Sequence, residues 1–459
     1  MRALTLFAAL VAALVGAAHA ADSALPEFEV KRRGPFEFAR RPTLTRDGDR
    51  VTIRFKTRAY CDVTVAIEDA DGRIVRHLAA GVLGENAPEP FRRNSLDQAV
   101  VWDGKDDRGV YIDEADALAV RVSLGLRPRF ERNLLWEPKR RVGRNNTIAV
   151  PAPEGVYVYE GEVVDSLRLF DHDGNYVRTV YPFPADKLAS FKDLHWRTFP
   201  QDGARLPMKE GFHQATLLSS GKNAGYSERF GGGIDVHNNH HGSVRGHAAT
   251  AVTVRNGKAV LAQYKVNAFR SDGSSLGPPM AGAKTWFPAK TKRWGADRVF
   301  PRSAALSPDG KRLYLTGYVW CYGGGDYGSR YEWLHAVVAL DLEKGDDARA
   351  FAGSLTLRER GSGADQLYVP SSVDCDAAGR VYVSDYLNDR VQVFKPDGEL
   401  VKSIRVSRPA RVAVHQRTGH VYVFSWHLTT RHHRKLNQVP ARLVHFGPAD
   451  DPRRIAAYP

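Results

Sequence analysis

The chain has only three cysteines, Cys61, Cys321 and Cys375, in 459 residues. An odd number cannot all pair within one chain, and so few exclude a scaffold built on disulfides. Cys61 and Cys375 lie in strand-like apolar runs and read as small buried residues; nothing in the pattern supports a Cys321–Cys375 bridge. Beyond residue 20 no apolar run reaches the roughly 20 residues that span a bilayer as a helix, so a membrane-spanning protein is not expected. There is no His-Glu-x-x-His, no Cys-x-x-Cys, no Gly-x-Ser-x-Gly elbow and no phosphate-binding loop. Ser219 to Lys222 fits Ser-x-x-Lys, but the further boxes of a penicillin-binding fold are missing.

What is present is an ordinary globular composition, 43% hydrophobic and 26% charged, with 41 glycines and 25 prolines. That excludes wholesale disorder and leans towards many short strands joined by turns. Residues 1–20 read as a secretory signal: Arg2, an apolar stretch from Ala3 to Gly16, then Ala18-His19-Ala20 as the small-x-small cleavage pattern. Cleavage near Ala20 predicts a secreted or periplasmic protein. The net charge is +14; losing Arg2 with the signal leaves 65 basic against 52 acidic residues, or +13. Such a balance favours acidic partners. Export argues against nucleic acid, so an anionic polysaccharide or envelope component is the expected partner. Local basic runs are Lys31-Arg32-Arg33, Lys139-Arg140-Arg141 and Arg431 to Lys435.

Residues 22–130 show period-two alternation, the pattern of a half-buried strand. Val51, Ile53 and Phe55 alternate with polar residues, as do Cys61, Val63, Val65 and Ile67, and again Leu118 to Leu126. Several short strands with turn punctuation predict a sandwich. The run Val63 to Gly81, then Val100 to Glu114, then Leu118 to Leu126 resembles the immunoglobulin-like domain of flagellar hook-capping proteins. Its core is Asp71-Gly72, Val75-Arg76 and Trp102-Asp103-Gly104 with Asp106 and Gly109. Asp116-Ala117-Leu118 departs from the Gly-then-Tyr usual before the last strand of that family. The resemblance implies a structural or assembly module without catalysis. Asp103, Asp106 and Asp107 have the chemistry of a calcium loop but not an EF-hand spacing, and read as turn formers.

From 131 to 459 the chain repeats itself. The unit Val369 to Ile404 holds three strand-like runs and a fourth after the Asp397-Gly398 turn. It resembles the NHL repeat, a β-propeller blade, at Tyr382 to Asp385, Asn388, Arg390 to Phe394 and Asp397-Gly398. Further copies start at Thr147, Thr250, Arg302 and Ala410. A unit that cannot bury both faces alone is completed by stacking around an axis. The expected architecture is all-β: an immunoglobulin-like β-sandwich over 22–130, then an NHL-type β-propeller over 131–459. Six blades are expected, with the sixth hidden in 182–246, and five or seven are the close alternatives. Because the last run ends near Pro459, the expectation is that ring closure borrows a strand from near residue 135 or that the chain is incomplete.

Two stretches could carry chemistry. Residues 195–247 hold six of the sixteen histidines, four of them after Gly231-Gly232-Gly233. His213, His237, His240, His241 and His247 are candidate metal ligands, for zinc or calcium, with Asp235 a conceivable base. The stretch resembles NHL-type lyases, which bind zinc through histidines from different blades, whereas gluconolactonase-type propellers use carboxylate and Asn ligands for calcium; the competing reading is a plain polar insertion. The second stretch is an aromatic loop, Trp320, Tyr322, Asp326, Tyr327 and Trp333, whose rings could stack on sugars or pack in a sheet. Asp385, Asn388 and Arg390 match the repeat and are expected to be structural hydrogen-bonders. The first functional expectation is an exported binding or scaffold protein for an extracellular polymer or protein. The alternative is a metal-dependent hydrolase or lyase acting on a sugar acid, lactone or polysaccharide.

Overall fold

A computed structural model describes residues 34–458, apart from 108, 113–116, 126–146, 161–165, 199–202, 204, 210–248, 263–264, 279, 282–300, 323–329, 346–347, 357–358 and 429–438. The signal segment therefore lies outside the described residues, as does the region near residue 135. The chain divides into two compact units, Met1–Arg132 and Asn133–Pro459. Among the described residues no helix is long and apolar enough to cross a membrane.

In the first unit, β1 (Phe38–Asp47), β2 (Arg50–Thr57), β3 (Asp62–Glu68), β4 (Ile74–Val82), β5 (Asp97–Trp102) and β6 (Ala119–Leu124) form two antiparallel sheets, ordered β1-β2-β5 and β4-β3-β6. Alternation sends Ile53, Phe55, Val100 and Trp102 from one sheet and Val63, Val65 and Ile67 from the other into a single buried cluster. Two sheets sharing one core make a sandwich. Cys61 is a buried free thiol beside it. The edge strand β1 carries Arg40, Arg41, Pro42 and Arg46, residues that discourage pairing with another chain. The aspartate loop after β5 is used up locally. Asp106 Oδ1 accepts the Val110 N–H at 2.9 Å, Asp103 Oδ1 accepts that of Lys105 at 3.3 Å, and Asp107 pairs with His77 at 2.6 Å.

The second unit contains five four-stranded antiparallel sheets, each built from strands in chain order. Blade 1 is β7 (Ile148–Ala152), β8 (Gly155–Glu160), β9 (Ser166–Phe170) and β10 (Tyr176–Tyr181). A separate hairpin follows, β11 (Leu194–Thr198) and β12 (Arg205–Lys209). Blade 2 is β13 (Ala251–Arg255), β14 (Lys258–Ala262), β15 (Lys265–Arg270) and the short β16 (Met280–Ala281). Blade 3 begins with β17 (Ser303–Leu306) and β18 (Arg312–Thr316). A hairpin, β19 (Val319–Tyr322) and β20 (Arg330–Trp333), interrupts it before β21 (Ala336–Asp341) and β22 (Arg349–Gly353). Blade 4 is β23 (Pro370–Cys375), β24 (Val381–Asp385), β25 (Arg390–Phe394) and β26 (Leu400–Arg405); blade 5 is β27 (Pro409–Val414), β28 (Val421–Ser425), β29 (Arg442–Phe446) and β30 (Arg454–Tyr458).

Each inner sheet is apolar on both faces because it is covered on both. Along β24, Tyr382 enters the core shared with Val412 and Val423 of blade 5, while Val381 and Val383 enter the core shared with Tyr314 and Val337 of blade 3. Blades 1 and 2 share Tyr157, Leu167, Leu261 and Phe269, and blades 2 and 3 share Val260, Val266, Leu315 and Val338. Cys375, a free thiol, is fully buried in the core between blades 3 and 4.

The first strands pack on one another in succession, β7 on β13, β13 on β17, β17 on β23 and β23 on β27. They belong to separate sheets, so side chains stitch them. Ser303 Oγ accepts the Val373 N–H at 3.0 Å, Ser371 Oγ donates to Ala410 O at 2.9 Å, and Asp374 Oδ2 accepts the Val414 N–H at 2.7 Å. At the far end Arg255 closes the group. Its guanidinium donates to Leu306 O at 3.0 Å, Cys375 O at 3.4 Å and Gln416 Oε1 at 2.6 Å, joining blades 2, 3, 4 and 5. Blades converging through their first strands are the construction of a propeller.

Among the described residues β7 packs directly on β13, and the described part of 182–246 forms a short 3-10 turn, Ala185–Ser190, and the β11–β12 hairpin rather than a four-stranded sheet. The described strands of blades 1 and 5 are four consecutive ones each; the region near residue 135, expected to lend a closing strand, lies outside the described residues.

Candidate functional site: the connector face

Each blade presents two ends. At one end tight turns join strands one to two and three to four, with glycines at Gly257, Gly310, Gly379 and Gly419 and again at Gly273 and Gly398. At the other end lie the loops between strands two and three and the connections to the next blade. This connector face carries every long excursion of the second unit. The chain leaves it at Tyr181 and returns at Ala251, leaves at Ala281 and returns at Ser303, and leaves at Ser425 and returns at Arg442. Both stretches singled out in the sequence begin and end here.

The described part of this face centres on blades 3 to 5. His335 follows β20, is 4% exposed, and accepts the Val369 N–H on Nδ1 at 3.1 Å. Its ring stands edge-on to Tyr368 with centroids 5.5 Å apart. Burial, with the nearby Arg360 charge second, holds the imidazole down to about 4, so it is a neutral base at physiological pH. The exposed Arg360 guanidinium lies 4.8 Å from the Tyr368 ring centroid, a cation–aromatic pair. Tyr386, fully buried, donates through its hydroxyl to Trp426 O and accepts the Leu428 N–H, both at 3.1 Å. Arg408 packs over the Tyr386 ring at 5.8 Å and pairs with Asp389 at 3.2 Å. Trp426 is 38% exposed.

The strand starts here are strained in the same way twice. Val369 and Arg408 precede Pro370 and Pro409 and have φ of +59° and +44°. A β-branched residue in that region is unfavourable by about 1–3 kcal/mol. Each N–H is caught by a side chain, His335 for Val369 and Asp389 Oδ1 for Arg408 at 2.8 Å. The repeat residues anchor the connection just before. Asp385 accepts from Tyr368 N at 2.6 Å, Asn388 Nδ2 at 2.8 Å and Arg390 Nε at 2.8 Å. Arg390 donates onward to the carbonyls of Ser362, Gly363 and Gln366, all at 2.9 Å. These are structural ties, as the repeat pattern leads one to expect.

His213, His237, His240, His241 and His247, with Asp235, lie outside the described residues, as do Asp326 and Tyr327. Trp320 and Tyr322 fall on β19, opposite Glu332 and Arg330. Trp333 is 9% exposed in an apolar cluster with Val369, Tyr386 and Ala410, so little of its ring is open for stacking. Among the described residues no three His, Cys, Asp or Glu side chains converge as metal ligands. Sequence reasoning missed Arg360, Tyr368 and Trp426. Tyr368 sits between apolar neighbours and reads as strand, and only the fold brings Arg360 onto it.

No family model and no curated protein matches the chain. Among solved structures it is similar to a hydrazine synthase of Kuenenia stuttgartiensis, at 15% identity over 43% of this chain and 46% of that one, with a TM-score of 0.27. It is similar to a gluconolactonase of Xanthomonas campestris, at 16% identity over 61% and 68%, with a TM-score of 0.27. It is also similar to the WD40 domain of Pan2 from Neurospora crassa, at 6% identity over 67% and 64%, with a TM-score of 0.34. The chain thus spans less than half the length of the hydrazine synthase. At these scores none of the likenesses bears on function, and the blade arrangement rests on the chain's own topology.

Proposed function

We propose that this chain is an exported binding protein whose second unit is an NHL-type propeller of five blades. In this reading the first unit is an immunoglobulin-like module of the hook-capping type, and the connector face binds an anionic extracellular polymer, an acidic polysaccharide or envelope glycan. The observation that carries the reading is the charge and ring content of the sequence between strands that end and restart on that face. Residues 282–300 contain Lys284, Lys290, Lys292, Arg293 and Arg298 against one acid, Asp297, together with Trp286, Phe287 and Trp294. Residues 426–441 contain Arg431, Arg434 and Lys435 and no acid. The described part of the same face carries Arg360 on Tyr368 and the exposed Trp426. Guanidinium and ammonium groups pair with carboxylates or sulfates, and aromatic faces stack on sugar rings.

The test is affinity electrophoresis of the mature full chain in gels cast with polygalacturonate or with neutral dextran. Retardation by polygalacturonate alone is expected, weakened by salt because exposed charge pairs are screened, and reduced in an Arg431→Ala, Arg434→Ala, Lys435→Ala triple variant. Equal mobility in both gels would refute the reading.

A further inference from the structure

The first unit contains a separate pocket. An open cavity of about 350 Å³ lies at one end of the sandwich, between the β1–β2 turn and the loop after β5. Val51, Ile112 and the almost fully buried Trp102 supply its apolar lining, and Tyr111, 58% exposed, its aromatic wall. Two groups of opposite charge complete the lining, Arg46 near the end of β1 and Asp49 in the turn.

The lining is built rather than incidental. Arg46 Nε is anchored on Gly48 O at 3.2 Å. The backbone of Lys105 bridges to Tyr111, and its Nζ sits 4.7 Å from the Tyr111 ring centroid, which fixes the aromatic wall. Trp102 Nε1 is satisfied inside the loop by Lys105 O at 2.8 Å. Ile112 is pinned through its N–H to Gly104 O at 3.0 Å. Gly104 itself has φ +78°, and a Cβ there would sit 3.2 Å from Asp49 O and 3.6 Å from Tyr111 Cδ1. A side chain at 104 would intrude between the charged and aromatic walls, so the loop keeps the cavity open at the one residue type its backbone tolerates.

We infer that this cavity is a binding site for a single neutral sugar ring of a glycan. Its volume is near the lower end of the range for small-ligand pockets, enough for one ring and too small for an extended ligand. A pyranose offers an apolar C–H face to Tyr111 and the apolar floor, and vicinal hydroxyls that donate to Asp49 and accept from Arg46. Arg46 and Asp49 give the lining one charge of each sign, which suits a neutral polyhydroxylated ring. The pocket goes beyond the proposed function and does not depend on it.

The test is calorimetric titration of the mature full chain with cellohexaose, maltohexaose, chitohexaose and mannohexaose. Binding in the millimolar range to at least one is expected. It is weakened about tenfold, roughly 1.4 kcal/mol, in Tyr111→Ala and in Asp49→Asn, kept in Tyr111→Phe, and unchanged in Arg360→Ala. Both positions are exposed, and thermal melting of each variant separates a lost site from a lost fold. No binding to any of the four, or binding that Tyr111→Ala and Asp49→Asn leave intact, overturns the inference. Loss in Arg360→Ala instead would assign the sugar to the connector face.

Discussion

The N–H of Val369 points at Nδ1 of His335, 3.1 Å away, and this contact ties the hairpin-bearing loop of blade 3 to the first strand of blade 4. An imidazole that accepts a backbone N–H on Nδ1 carries its proton on Nε2, and it can be charged only by giving that bond up.

The pH dependence of stability follows. His335 is held down to about 4, below the unfolded value of about 6.5. Stability from its neutral form is fully present above the unfolded pKa and is lost as pH falls from about 6.5 to about 4. The loss is at most about 3 kcal/mol. Denaturant unfolding at a series of pH values is expected to show a shallower acid limb in His335→Gln than in the wild type. Parallel limbs would count against the buried neutral histidine.

Asp374 works in the opposite direction. Desolvation raises it to about 6, outweighing the N–H groups of Val414 and Cys375 that its carboxylate accepts. Because the folded value lies above the unfolded one, its contribution is present below about pH 4 and lost as pH rises through about 6. The stability difference between wild type and Asp374→Asn is expected to fall by about 3 kcal/mol between those limits. A difference that stays constant with pH would contradict this account.

Arg255 is the test of convergence. Replacing it with methionine keeps much of the stem but removes the guanidinium donors to Leu306 O and Gln416 Oε1, while Cys375 O keeps the Gln416 Nε2 donor at 2.9 Å. A cost of about 3 kcal/mol is expected for the second unit. Substituting Arg417, one residue beyond Gln416 in a turn and exposed, should change stability by less than about 0.5 kcal/mol. Equal effects would mean that Arg255 joins nothing.

The blades were legible because local chemistry writes them. Asp397-Gly398 and Asp272-Gly273 mark hairpins, and the continuous apolar run Val381 to Val383 marks a strand, one the structure covers on both faces. The buried roles of Cys61 and Cys375 were legible for the same reason. The Arg255 contact with Gln416 spans 161 positions and leaves no local trace, and neither does the placing of Arg360 on Tyr368. The extra blade expected in 182–246 came from counting strand-like runs, and of that stretch the described residues form only the β11–β12 hairpin and one short 3-10 turn. For Trp333 the sequence left stacking on a sugar and packing in a sheet both open, and the enclosure by Val369, Tyr386 and Ala410 left no local trace.

The most direct test of the binding account compares two charge reversals at opposite ends of the blades by calorimetric titration with polygalacturonate at low salt. Arg360 lies on the connector face, and Lys344, its side chain 71% exposed, lies in the turn between β21 and β22 at the other end. Arg360→Glu is expected to weaken binding about tenfold, while Lys344→Glu, an equal change in net charge, changes it less than about twofold. Equal weakening by both would mean that the polymer responds only to overall charge, and no effect of Arg360→Glu would remove the connector face as the binding site.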